Sequence, residues 1–107
     1  MTSSVYWNIV YSKEADNDLI NIKEYLTFYS SKEYASRYVL SIISAIDKLR
    51  IFPERYPVFP DEPWTSLGLR YFNVKSYIVF YKLIKIKSQI LVVRILNKRQ
   101  DVVNQLR

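Results

Sequence analysis

The chain has 107 residues, half of them hydrophobic, with 16 Lys+Arg against 10 Asp+Glu, one Gly, no Cys and no His. Without Cys there are no disulfides, thiolate nucleophiles or Cys-based zinc sites, which suits a reducing cytoplasm. Without His, Ser-His-Asp and Cys-His catalysis are excluded, and the usual proton-transfer group near neutral pH is missing.

In chain order, Val5, Trp7 and Ile9 alternate with Tyr6, Asn8 and Val10, which predicts an opening strand. Ser12 is placed as an N-cap, with Glu14 and Asp16 in the first turn where the helix dipole favours acids. Ala15, Leu19, Ile22 and Leu26 then recur at helical spacing, widened by Tyr25 and Tyr29. Ser30-Ser-Lys-Glu33 has the spacing of a capping box opening a second helix, whose stripe is Ala35, Tyr38, Val39, Ile42, Ile46 and Leu49. Two such helices with a short connection predict an α-hairpin. All four prolines fall between Pro53 and Pro63, so the second helix stops near Phe52 and a connecting loop follows. A Pro-rich ligand for a partner is the less favoured reading of that stretch.

From Leu69 the pattern turns to strands: 69–75, 77–86 and 89–96, rich in β-branched and aromatic residues and separated by Ser76 and by Lys87-Ser88. Short connections predict antiparallel neighbours. Residues 98–107 are expected as a short helix or a tail. The expected fold is therefore α+β, one small domain over 1–107 in β-α-α-β-β-β order, with the α-hairpin on one face of the sheet. The start, Met1 to Asn8, lacks the charge-then-apolar pattern of a signal peptide, and the apolar runs at 77–81 and 90–93 are too short to span a membrane. A cytoplasmic protein with no membrane partner is expected.

Charge is unevenly placed. Residues 1–69 hold seven basic and nine acidic side chains, whereas residues 70–107 hold nine basic ones against Asp101 alone. The single Gly precludes a Gly-rich phosphate loop, and the acids show no recurring metal-ligand spacing, so neither a cofactor nor a metal is expected.

Four blocks in order resemble the RelE/ParE superfamily of bacterial toxins from type II toxin–antitoxin, or plasmid stabilisation, systems. They are Tyr11 to Leu19 with Ile22 and Tyr25; Ala35 to Leu49 with Phe52-Pro53; Leu69 to Val74 with Tyr77 to Tyr81; and Val93 to Asp101. The resemblance covers nearly the whole chain. It implies a growth-arresting toxin with a basic sheet surface, neutralised by a cognate antitoxin that is acidic and partly disordered when free. It also implies candidate target or phosphate contacts at Arg70, Arg94 and Arg99, with Lys75, Tyr77, Asn97 and Lys98 around them. Two positions depart from the superfamily's ribosome-dependent mRNA endonucleases: Ile78 stands where an Arg is common, and Asn97 where a His or another acid/base group is common.

RNA cleavage by a 2′-hydroxyl needs a base, an acid and positive charge at the phosphate. The arginines supply only charge, because their pKa stays above about 12. Tyr77 and Tyr81 carry hydroxyls that ordinarily titrate near about 10, and Tyr81 shares a strand face with Tyr77, Val79 and Leu83, which favours the core. Arg94 alternates with Val93 and Ile95, which puts it on the face of Val92 and Leu96. The favoured action is binding of an essential target such as DNA gyrase. The alternatives are a ribosome-dependent mRNA endonuclease and a non-toxic or decayed nucleic-acid-binding domain.

Overall fold

A computed structural model describes residues 6–107; the expected strand residue Val5 lies outside the described residues. The opening strand, β1, runs over Asn8–Tyr11. Ser12 stops it, starts the first helix and ties both to a distant strand. Its backbone is extended (φ −64°, ψ 162°), its Oγ accepts from the Ala15 N–H, and its hydroxyl donates to the Val93 carbonyl at 2.8 Å. Helix α1 spans Lys13–Tyr29 and α2 spans Lys32–Asp47. The cap of α2 is Ser31, whose Oγ accepts from the Tyr34 N–H at 3.1 Å. Ser30 instead closes α1, its N–H donating to the Leu26 carbonyl at 2.8 Å. The expected capping box therefore does not form, because one helix claims Ser30 before the next begins.

After α2 the chain tightens into a short 3-10 turn at Lys48–Arg50 and another at Pro53–Arg55. A four-residue helix that the sequence pattern did not predict, α3 (Trp64–Leu67), ends at Gly68, whose φ of +75° suits a residue without Cβ. Strands β2 (Arg70–Val74), β3 (Tyr77–Ile84) and β4 (Gln89–Asn97) follow. The middle strand ends two residues earlier than expected, because Lys85–Lys87 curl into a 3-10 turn. Helix α4 (Val102–Leu106) closes the chain, capped by Asp101.

The sheet order is β1-β4-β3-β2. The three later strands are antiparallel neighbours, as expected. β1 pairs with β4 in parallel, so the α-hairpin is the crossover that carries the chain back over one sheet face. Ala15, Ile22, Ile42, Ile46 and Leu49 from the hairpin meet Phe72, Val79, Tyr81, Ile90, Val92 and Ile95 from the sheet in the main core. Removing Ile42, Ile46 and Leu49 fully from water contributes about 2 kcal/mol each. The other face carries a smaller cluster, Trp64, Leu69, Phe80 and Leu96, covered by Val102, Val103 and Leu106 of α4.

One irregularity changes which residues face which core. Phe80 pairs with Arg94 but Tyr81 pairs with Val92, so Val93 is an extra residue in β4. As a result Val92 and Ile95 share the main core, while Val93 and Leu96 share the second. The strict alternation expected around Arg94 is corrected by this bulge.

Candidate functional site

β1 covers only Gln89 to Val92 of β4. Beyond the bulge, from Arg94 to Asn97, the outer edge of β4 has no strand beside it among the described residues. Alternation turns the N–H groups of Ile95 and Asn97 to that edge. Each is held by a side-chain oxygen: Ile95 N–H donates to Asp18 Oδ2 at 2.9 Å, and Asn97 N–H donates to Gln100 Oε1 at 3.2 Å. Asp18, Asn21, Ile22 and Tyr25, one face of α1 at three- and four-residue spacing, form the facing wall. With Arg99 and Gln100 from the turn, Gln105 from α4, and Tyr77, they enclose a cavity of about 570 Å³.

Arg94 crosses from β4 to α1. Its Nε and Nη2 donate to the two Asp18 carboxylate oxygens at 2.8 and 2.9 Å, and its Nη1 donates to the Gln105 carbonyl at 3.0 Å. The Asp18 hydrogen bonds push the Arg94 pKa up further, so this guanidinium stays charged. Tyr77 lies opposite Asn97 across the β3–β4 pair. Burial raises its hydroxyl above the usual value, and a hydrogen bond with Asn97 opposes that shift without cancelling it. The Asn97 side chain also accepts from the Arg99 N–H at 2.9 Å, which fixes the turn and leaves the Arg99 side chain exposed. The cavity thus combines the Arg94–Asp18 ion pair and the Arg99 charge with amide groups. Of its two tyrosines, Tyr77 is moved further from neutral pH, and among the described residues no three carboxylates converge as metal ligands.

Four of the sequence-derived candidates therefore meet in one groove: Tyr77, Arg94, Asn97 and Arg99. Lys98 adjoins it, since its N–H donates to the Ser76 carbonyl at 2.9 Å, joining the end of β4 to the β2–β3 turn. Lys75 lies in that turn, with its ammonium 5.2 Å from the centre of the Tyr38 ring. Arg70 is elsewhere, on the far edge strand. Its Nη1 donates to the Tyr56 carbonyl at 2.6 Å and to the Glu54 carbonyl at 3.3 Å, so it anchors the proline-containing loop. Tyr81 anchors the same loop through its hydroxyl, which donates to the Pro53 carbonyl at 2.6 Å. Burial pushes that hydroxyl up to about 12.

Sequence reasoning missed Asp18, Asn21, Gln100 and Gln105. An available signal was the row Asp18, Asn21, Tyr25, which places two polar groups along the stripe that α1 turns toward the sheet.

A mixed four-stranded sheet crossed by a helical hairpin, with a groove at its open edge, defines a small α+β protein. The family model described as ParE toxin of type II toxin-antitoxin system, parDE, matches residues 9–102. The chain belongs to this family of type II toxin–antitoxin toxins. Among solved structures, the chromosomal ParDE toxin–antitoxin system from P. aeruginosa superposes with a TM-score of 0.72 at 18% identity, covering 88% of this chain and 98% of that one. The RelBE2 toxin–antitoxin complex from Mycobacterium tuberculosis gives 0.65 at 14% identity, covering 88% and 100%. A metal-bound toxin from Helicobacter pylori gives 0.54 at 14% identity, covering 86% and 94%. At these identities the likeness is one of fold. A search of curated proteins gave no match.

Proposed function

We propose that this chain arrests growth by binding DNA gyrase, and that a cognate antitoxin encoded with it neutralises that activity. The observation that carries this reading is the groove itself, where the exposed Arg99 beside the Arg94–Asp18 pair leaves net positive charge and Tyr77 is pushed further from neutral pH. Binding a macromolecule requires charge and shape, whereas cleaving RNA requires a base and an acid. Ile78 and Asn97, where the related endonucleases commonly carry Arg and an acid/base group, weigh the same way.

The test is induced expression in bacteria with two separate readouts: supercoiling by gyrase and integrity of ribosome-bound mRNA. Loss of supercoiling with intact mRNA is expected, and Arg99→Glu, at an exposed side chain, is expected to weaken it at least about tenfold. Cut mRNA with normal supercoiling would instead establish the endonuclease. Unimpaired growth at high levels of folded protein would remove the toxin reading altogether.

A further inference from the structure

The end of the sheet far from the groove carries a second concentration of charge. β2 reaches only to Tyr81 of β3, and β1 begins opposite Gln89 of β4, so the β3–β4 turn stands beyond both neighbouring strands. That turn is Lys85-Ile86-Lys87. Ile86 is 94% exposed, more than any other large hydrophobic side chain among the described residues. The turn that presents it is held firmly. The Ser88 N–H donates to the Lys85 carbonyl at 3.1 Å, the Asn8 N–H donates to the Ser88 carbonyl at 3.0 Å, and the Lys85 ammonium lies 3.7 Å from Glu54. Lys48, Arg50 and Arg55 gather at the same end: Arg55 Nη2 donates to the Lys48 carbonyl at 3.0 Å, and the Trp7 N–H donates to the Arg50 carbonyl at 2.9 Å. Two acids offset part of this charge, Glu54 beside Lys85 and Asp47 paired with Arg50 at 2.6 Å. Lys48, Arg55 and Lys87 are exposed and pair with no carboxylate among the described residues.

We propose that this end of the molecule docks on duplex DNA, with Lys85 and Lys87 on phosphates at the two rims of the minor groove and Ile86 between them as a wedge at a base step. The minor groove is about 6 Å wide, which admits a single side chain at a hairpin tip and excludes a helix. An isoleucine between two lysines gains nothing from water, and it gains contact when both cations sit on phosphate and a base step opens to receive it. A firmly held turn suits this use, because a mobile one would lose more freedom on docking. The rings nearby weigh against a single strand. The Arg50 guanidinium lies over Tyr6 at 5.8 Å and that of Arg55 over Phe52 at 6.0 Å, so each ring already carries a cation, whereas a single strand needs successive open ring faces. A lipid surface needs a broad apolar face, and here the most exposed apolar side chain is flanked on both sides by charge. The site stands independently of the gyrase reading and of the groove at the other end of the sheet.

The probe is a short DNA duplex whose central TA step, easily unstacked, carries the fluorescent base 2-aminopurine, titrated with the full chain at low salt. Binding with a Kd on the order of micromolar is expected, together with a rise in fluorescence as the step opens. Lys85→Glu with Lys87→Glu is expected to weaken binding at least about tenfold and to lower the salt slope by about 2. Ile86→Ala, which keeps every charge, is expected to retain that slope and lose the fluorescence rise. All three positions are exposed, so these variants leave the core intact. Lys32→Glu with Arg37→Glu, an equal charge change at exposed positions of α2, is expected to weaken binding much less. Equal loss from the α2 pair overturns the assignment to this end, and an undiminished signal in Ile86→Ala overturns the wedge. No binding at about 100 µM protein overturns the proposal, as does tighter binding to a single strand of the same length or to anionic phosphatidylglycerol vesicles. Growth arrest without duplex binding refutes this site and leaves the toxin reading; duplex binding without growth arrest does the reverse.

Discussion

Two polar side chains, Asp18 and Tyr81, join parts of the chain that are far apart in sequence. Asp18 bonds Arg94 and the Ile95 N–H, and Tyr81 reaches back to the Pro53 carbonyl at 2.6 Å while its ring meets Phe72 edge-on at 6.0 Å. Tyr81 also makes stability depend on pH in a definite direction. Its hydroxyl titrates at about 12 in the folded chain and near 10.0 unperturbed. The folded state therefore holds this proton more tightly, so the contribution is complete below pH 10 and declines as pH rises toward 12. The loss is on the order of 2 kcal/mol across that window. Tyr81→Phe keeps the ring and removes the proton, so it is expected to cost about 1 kcal/mol at pH 8 for the lost hydrogen bond. Urea unfolding of both proteins between pH 8 and pH 12 would show the gap narrowing with alkalinity and reversing near pH 12. A gap that stayed constant would mean that the hydroxyl ionises as freely in the folded chain as outside it.

At the scale of elements, the hairpin shows what periodicity reveals and what it leaves out. Ala15, Ile22, Ala35, Ile42 and Ile46 are buried where the helical stripes put them, because each helix had only one apolar face to turn inward. The junction was harder, since Ser30 and Ser31 carry the same chemistry and only the length of α1 decides between them. Ser31→Ala is expected to destabilise the protein by about 1 kcal/mol, and Ser30→Ala by much less. Equal effects in thermal unfolding would contradict the cap assignment. The parallel β1–β4 pairing had no local signal, because it joins residues some eighty positions apart, such as Asn8 and Gln89. The bulge at Val93 was equally silent: a run of Val, Val, Arg, Ile and Leu alternates acceptably in either register. Half of the groove was legible from the β4 block and the turn after it. The other half, Asp18 and Asn21, was not, because an acid early in a helix already has an adequate explanation in the helix dipole.

Across the whole molecule, folding redistributes the basic charge of the last third of the chain. Arg94 is taken up by Asp18, Lys85 lies 3.7 Å from Glu54, and Arg70 is committed to loop carbonyls. Lys75, Lys98 and Arg99 remain exposed at the end of the sheet where the β2–β3 turn meets the end of β4, beside the mouth of the groove. A concentration of like charge at one end raises the encounter rate with an acidic partner before any contact forms. Such steering acts over about 10 Å at 0.1 M salt and shrinks to about 3 Å at 1 M. Raising NaCl from 50 mM to 500 mM is therefore expected to slow association with the cognate antitoxin about tenfold, with a smaller change in dissociation. Reversing two of the exposed charges, in Lys98→Glu with Arg99→Glu, is expected to remove most of that salt dependence. Stopped-flow binding at several ionic strengths separates the two rates. An association rate indifferent to salt would mean that the antitoxin is selected only after contact and that the exposed charges serve another surface.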